Sequence, residues 1–223
     1  MTQIDVKQKV LAANMEAAAG LRTGFAASRT LVVNLISSPG SGKTTFLERT
    51  IADLNGRLKL GAIEGDIATD RDAERLRRHG IPARQILTGG ACHLDARQVR
   101  QALEDEKGAL SGLDILFIEN VGNLICPTSY DLGEDFKVVL LSVTEGDDKP
   151  FKYPGIFSKA TVAVLTKMDL LPHVDFDLAA VRRQIATLSP TGRLLETSAK
   201  TGAGMESWCA LLEGEHSKKR GGR

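Results

Sequence analysis

Apolar residues gather into short runs along the chain, and these alternate with longer stretches of mixed polarity. The clearest run is LVVNLIS, Leu31 to Ser37, which is rich in Val, Leu and Ile and ends at Pro39 and Gly40. A run this short and continuous predicts a strand buried on both faces, as in a parallel sheet. Leu58 to Glu64, Arg84 to Thr88, Leu113 to Ile118, Val138 to Val143, Thr161 to Leu165 and Leu194 to Glu196 read as further strands. Between them, apolar residues recur at helical spacing. This predicts helices from near Gly42 to Leu54 and over Asp70–His79, Leu94–Lys107, Phe176–Leu188 and Met205–Leu212. Ile4 to Phe25 predicts an N-terminal helix lying against the domain. The alternation implies right-handed crossovers and an α/β fold, a doubly wound, mostly parallel sheet flanked by helices. In such a sheet, ligands bind outside the carboxyl ends of the strands.

Composition narrows the class without choosing a function. The 223 residues fit one compact domain, with 42% hydrophobic and 26% charged residues. A net charge of +1 gives no reason to expect nucleic acid or an anionic membrane surface as partner. No stretch is apolar enough to span a bilayer, and no export signal is visible. The 3 cysteines, Cys92, Cys126 and Cys209, are too few for a disulfide scaffold and read as thiols, so a cytoplasmic location is expected. Three segments follow: a helical extension over 1–30, the main domain over 31–215, and a basic tail over 216–223 (HSKKRGGR) expected to fray.

SSPGSGKTT, Ser37 to Thr45, follows a buried strand and opens a helix, the context of a P-loop. Gly40 and Gly42 let backbone N–H groups turn toward a phosphate, and the helix N-terminus adds positive partial charge. Ser41 and Thr45 lie in the same cradle. Lys43 can reach the β- and γ-phosphates, and the Thr44 hydroxyl can coordinate Mg²⁺. Ser37 stands where the usual pattern has its first glycine. A P-loop NTPase is the fold this implies.

TKMD, Thr166 to Asp169, follows the apolar run TVAVL and resembles the guanine-reading element of GTPases, with Thr166 in place of the usual Asn. Asp169 can accept from guanine N1–H and its exocyclic amine, which adenine cannot supply. Lys167 can lay its stem over the ring. TSAK, Thr197 to Lys200, resembles the loop whose backbone meets the guanine oxygen, here through Ser198, Ala199 and Lys200. Asp66, in EGDIATD, and Glu119, in FIENVGN, each follow or end a strand; either can hold Mg²⁺ directly or through water. Asp66 can also orient the attacking water. Asp66 or Asp70 can instead cap the next helix. With no residue marked as an efficient base, slow GTP hydrolysis is expected.

Cys92 and His93 are adjacent in GGACHLDA, and Cys126 lies in NLICP. Thiolate and imidazole together suit Zn²⁺, Ni²⁺ or Cu(I). A lone cysteine is also often a small buried apolar residue. Cys209 is assigned to the core of the last helix, and His79, His173 and His216 to the surface.

Together, SSPGSGKTT, EGDIATDRDAERL, GGACHLDA, ENVGNLICP, LLSVTEGDDKPFKYP and LTKMDLLP resemble the HypB family of hydrogenase nickel-incorporation GTPases, from about Leu31 to Lys200. The resemblance implies that Cys92, His93 and Cys126 bind Ni²⁺ or Zn²⁺ at a homodimer interface favoured by GTP. It also implies exchange with a small nickel-binding partner of the HypA type, and indirectly service to a hydrogenase large subunit. Met1 to Thr30 carries neither a cysteine cluster nor a histidine-rich run, so tight nickel storage is not expected. Three other readings stand: maturation of another metalloenzyme such as urease, a small-molecule P-loop kinase, and a non-catalytic module with structural zinc.

Overall fold

The computed structural model describes residues 3–67, 70–106 and 108–221. Seven strands form one sheet in the order β3-β2-β4-β1-β5-β6-β7. They are β1 Leu31–Ser37, β2 Leu60–Asp66, β3 Ala83–Leu87, β4 Ile115–Glu119, β5 Phe136–Ser142, β6 Val162–Thr166 and β7 Arg193–Glu196. Every pairing is parallel. The strand order reverses at β1, which pairs with β4 on one side and β5 on the other. The crevice beyond its carboxyl end is where such folds bind ligands.

Both faces are covered, which is why the strands read as continuous apolar runs. Helices α1 (Gln3–Ser28) and α4 (Ala96–Asp105) pack one face, where Ala18, Leu21 and Phe25 meet Val32, Leu116 and Ile118. Helices α2 (Lys43–Leu54), α3 (Arg71–Arg77) and α8 (Met205–Gly221) cover Val33, Leu35 and Phe117 on the other. There Trp208 is fully buried, its ring 5.3 Å from Phe46 and its N–H donating to Thr50 Oγ1 at 3.0 Å. Truncating a tryptophan so placed costs about 3–5 kcal/mol. No described helix is long and apolar enough to cross a membrane.

Two stretches depart from the sequence expectation. The first is 144–159, where the sequence predicts no element. It folds into a 3₁₀ turn (Val143–Glu145), α5 (Lys149–Lys152) and α6 (Pro154–Lys159), and α7 (Leu178–Leu188) follows further along. These short elements form because Ser142 and Glu145 make a capping box and a proline opens each of α5 and α6. The second is the basic tail, expected to fray from 216 onward, which continues α8 to Gly221. Its cations dock on carboxylates at the amino edge of the sheet: Arg220 meets Asp114 at 3.2 Å, and Lys219 meets Asp135. His216, expected at the surface, is buried with Nε2 3.2 Å from Asp114 Oδ1. His79 stands 3.6 Å from Glu48, whereas His173 is exposed. Lys107, the expected end of α4, and the last two tail residues lie outside the described residues.

Candidate functional site

The loop between β1 and α2 takes the turn that its glycines permit: φ is +79° at Gly40 and +89° at Gly42, the left-handed region that other residues avoid. Gly42 caps α2. Lys43 is held under the loop, its Nζ donating to Ser37 Oγ at 2.9 Å and standing 4.0 Å from Glu119 Oε1. Ser37 therefore has a role that glycine in the usual pattern lacks: its hydroxyl also accepts from Ser41 Oγ. Thr44 Oγ1 donates to Glu119 Oε1 at 3.0 Å. An open cleft of about 520 Å³ lies above, lined by Gly40–Thr45, Asp66, Glu119–Gly122 and Lys167.

A second buried carboxylate, Glu64, sits level with Glu119 on the neighbouring strand. Glu64 Oε1 and Glu119 Oε2 are buried without a hydrogen-bond partner. Burial, reinforced by the charge of Glu119, pushes the Glu64 carboxyl well above the usual carboxylate range. Burial also raises Glu119, opposed by Lys43, Glu64 and Thr44. Two orphaned carboxylate oxygens beside the Thr44 hydroxyl are an oxygen-donor set of the kind Mg²⁺ takes. Asp66 lines the same cleft. Asp70 makes no side-chain cap on α3, so the capping alternative fails there.

TKMD and TSAK come together at the ends of β6 and β7. Thr166 Oγ1 donates to the Ser41 carbonyl at 2.7 Å, so this threonine braces the P-loop in place of the usual asparagine. Lys167 takes φ +58° and donates from Nζ to the Gly40 carbonyl at 2.7 Å. Asp169 Oδ1 accepts from Ser198 Oγ at 2.6 Å, and Thr201 N–H ties Ser198 in turn. Ala199 is half-buried and Lys200 exposed. The lining of the open cleft ends at Lys167, and Asp169 and Ser198–Lys200 stand beyond it, after the ends of β6 and β7.

Cys92, His93 and Cys126, 34 residues apart at the sulfurs, meet with their ligand atoms all within 4.8 Å of one another. The two sulfurs are 2.8 Å apart, and Cys92 Sγ is 3.6 Å from His93 Nδ1. Cys92–His93 stand just before the Asp95 cap of α4, and Cys126 opens a 3₁₀ turn ending at Ser129. The Tyr130 ring lies against His93, tilted by 37° with the centroids 3.8 Å apart. The Cys126 thiol pushes the Cys92 thiol up, with burial adding to it, and burial lowers His93, favouring the neutral imidazole that ligates metals. Cys209 is buried in the core and pushed up to about 11 by burial, in keeping with an inert thiol.

The family model of the CobW/HypB/UreG nucleotide-binding domain matches residues 31–196. Hydrogenase maturation factor HypB of Azotobacter chroococcum is 48% identical over 220 residues, covering 99% of this chain and 70% of that protein. The chain belongs to the HypB family of hydrogenase maturation factors. A Helicobacter pylori member described as a hydrogenase/urease maturation factor is 42% identical over 211 residues, covering 94% of this chain and 86% of that one. A crystal structure of H. pylori HypB in complex with nickel superimposes with a TM-score of 0.87 at 41% identity, covering 92% and 96% of the two chains.

Two features at or beside the cleft are not legible in the sequence. In the sequence Glu64, a carboxylate at the end of an apolar run, looks like any strand terminus; only the register opposite Glu119 reveals the pair. Arg75 and Asp72 line the cleft from α3. The Arg75 guanidinium bonds Thr45 Oγ1 at 3.2 Å, Glu48 at 2.6 Å and Asp72 at 3.1 Å. Their spacing of three on a helix was the available signal.

Proposed function

We propose that this HypB family member is a slow, magnesium-dependent GTPase that carries nickel for the maturation of nickel–iron hydrogenase. Backbone N–H groups of Gly40–Thr44 cradle the phosphates, and Lys43 leaves Ser37 to reach the β- and γ-phosphates. Thr44, Glu119 and Asp66 hold Mg²⁺, with Glu64 behind Glu119; when bound, the ion neutralises charge on the phosphate oxygens. Asp66 orients the attacking water. Asp169 and Lys167 read guanine, with Ser198, Ala199 and Lys200 closing the base site.

Cys92, His93 and Cys126 take up Ni²⁺, or Zn²⁺ in its place. Two thiolates and an imidazole leave the coordination sphere open, so a second copy of the chain completes it in a GTP-favoured homodimer. The ion is exchanged with a small nickel-binding protein of the HypA type and reaches the hydrogenase large subunit in the cytoplasm. The observation that carries this reading is covalent. Glu119, which receives the Thr44 hydroxyl, and Cys126 belong to one short strand-loop segment. Displacing that loop displaces a ligand sulfur, and a nickel site is sensitive to ligand geometry.

Cys126→Ala tests the reading. It removes nucleotide-dependent metal binding and leaves GTP affinity close to wild type; unchanged metal stoichiometry in the variant refutes it. The H. pylori hydrogenase/urease factor motivates a second reading, in which urease is served as well. Nickel loading of each enzyme in a deletion strain complemented with this chain separates the two.

A further inference from the structure

The segment ENVGN, Glu119 to Asn123, carries an asparagine on either side of Val121–Gly122. Gly122 lies flat on the P-loop: a Cβ there would stand 3.0 Å from the Pro39 nitrogen. The loop therefore touches the phosphate cradle itself.

The flanking asparagines grip the metal-bearing loops. Asn120 is 1% exposed. Its Oδ1 accepts from the N–H of Leu94 at 3.1 Å and of Val121 at 3.0 Å, and its Nδ2 donates to Asn34 Oδ1 at 3.4 Å. Leu94 directly follows His93, is fully buried, and is wedged so tightly on β2 that a Cβ at Gly65 would meet it at 2.8 Å. Asn123 Oδ1 accepts from the N–H of Ile125 at 2.8 Å and of Cys126 at 3.4 Å, and the Asn123 side chain also hydrogen-bonds the Cys92 thiol. One short loop thus holds the backbone beside both metal-bearing loops through side-chain amides.

We propose that Asn120 and Asn123 are positioning residues that transmit the nucleotide state to the metal site, Asn120 through the Cys92–His93 loop and Asn123 through both ligand loops. This rests on the nickel-coupled reading above. Leaving a buried N–H without a partner is costly, so the loop bearing His93 follows Asn120 when the Glu119–Gly122 segment moves. Asn123 acts likewise on Cys126. Neither residue touches the ion.

The test is the ratio of Ni²⁺ dissociation constants for the full-length chain in its GDP-bound and non-hydrolysable-GTP-analogue-bound states. Wild type gives a ratio well away from one, in the range of about 5- to 150-fold typical of coupled sites. Asn120→Ala and Asn123→Ala each bring it at least about twofold closer to one, the covalent Glu119–Cys126 link and the other asparagine keeping the remainder. Asn120→Asp, which keeps the acceptor for the Leu94 N–H, retains most of the ratio. A merely structural asparagine would lower the melting temperature in all three variants and leave the ratio alone.

Alanine variants with the wild-type ratio overturn the inference while sparing the functional reading; a wild-type ratio of one removes both. Should the buried Asn120→Ala fail to fold, Asn123→Ala, at a half-buried site, still reports. Hydrogen exchange at the Leu94 amide in wild type gives a further readout. Exchange there is expected to differ between the two nucleotide states, and equal exchange overturns the role of Asn120.

Discussion

Asp169→Asn isolates the source of guanine selectivity. In the folded chain one carboxylate oxygen is already engaged by the Ser198 hydroxyl at 2.6 Å. An asparagine keeps its own oxygen on that hydroxyl, so its NH₂ faces the base edge, where guanine presents N1–H and an amine. The change removes a charge-assisted acceptor and sets donor against donor. The first loss is worth about 1.5–3 kcal/mol and the unpaired group about 1–3 kcal/mol. A total of about 3–5 kcal/mol weakens GTP binding roughly 100- to 3,000-fold. Xanthosine triphosphate offers a carbonyl where guanine has its amine, so the variant should gain affinity for it as it loses GTP. Competition against a fluorescent GDP analogue measures both. GTP affinity within threefold of wild type, a cost of only about 0.6 kcal/mol, would refute the assignment of Asp169.

Other outcomes follow from the same geometry. Thr166→Val removes the hydroxyl that donates to the Ser41 carbonyl. The stranded group costs about 1–3 kcal/mol, so nucleotide binding weakens by roughly 5- to 150-fold; equal affinities in a titration would contradict the bracing role. Glu64 has its carboxyl raised by burial and by Glu119, so protonation favours the folded state. Without nucleotide or Mg²⁺, the stability it confers is full below the ordinary carboxylate range and is lost as pH rises through the raised value. Glu64→Gln should therefore melt higher than wild type at alkaline pH and near it at pH values below that window; parallel melting curves across pH would count against it. Asp114→Ala unpairs Arg220 and His216. Hydrogen exchange in the last turns of α8 should rise, while nucleotide affinity, set at the opposite edge of the sheet, stays put.

The parts of the fold legible in the sequence were those with one dominant signal. LVVNLIS is buried over all its residues and β1 has the bounds its apolar run suggested. GSGKT follows it because its two glycines take left-handed angles. The segment 144–159 escaped because its short helices are set by a capping box and two prolines rather than by periodicity. The tail escaped for a tertiary reason: its lysine and arginine charges, which suggest a solvated end, meet Asp114 and Asp135 from distant strands. Cys92, His93 and Cys126 could be named as candidates because thiol and imidazole are distinctive. Their convergence, like that of Glu64 on Glu119, depends on strand register and loop closure, which spacing alone does not encode.

The most direct measurement is calorimetric titration of Ni²⁺ into the wild-type chain loaded with GDP and, separately, with a non-hydrolysable GTP analogue, both with Mg²⁺ present. The account predicts dissociation constants that differ by at least about fivefold between the two states, about 1 kcal/mol of coupling. Identical nickel isotherms would contradict it.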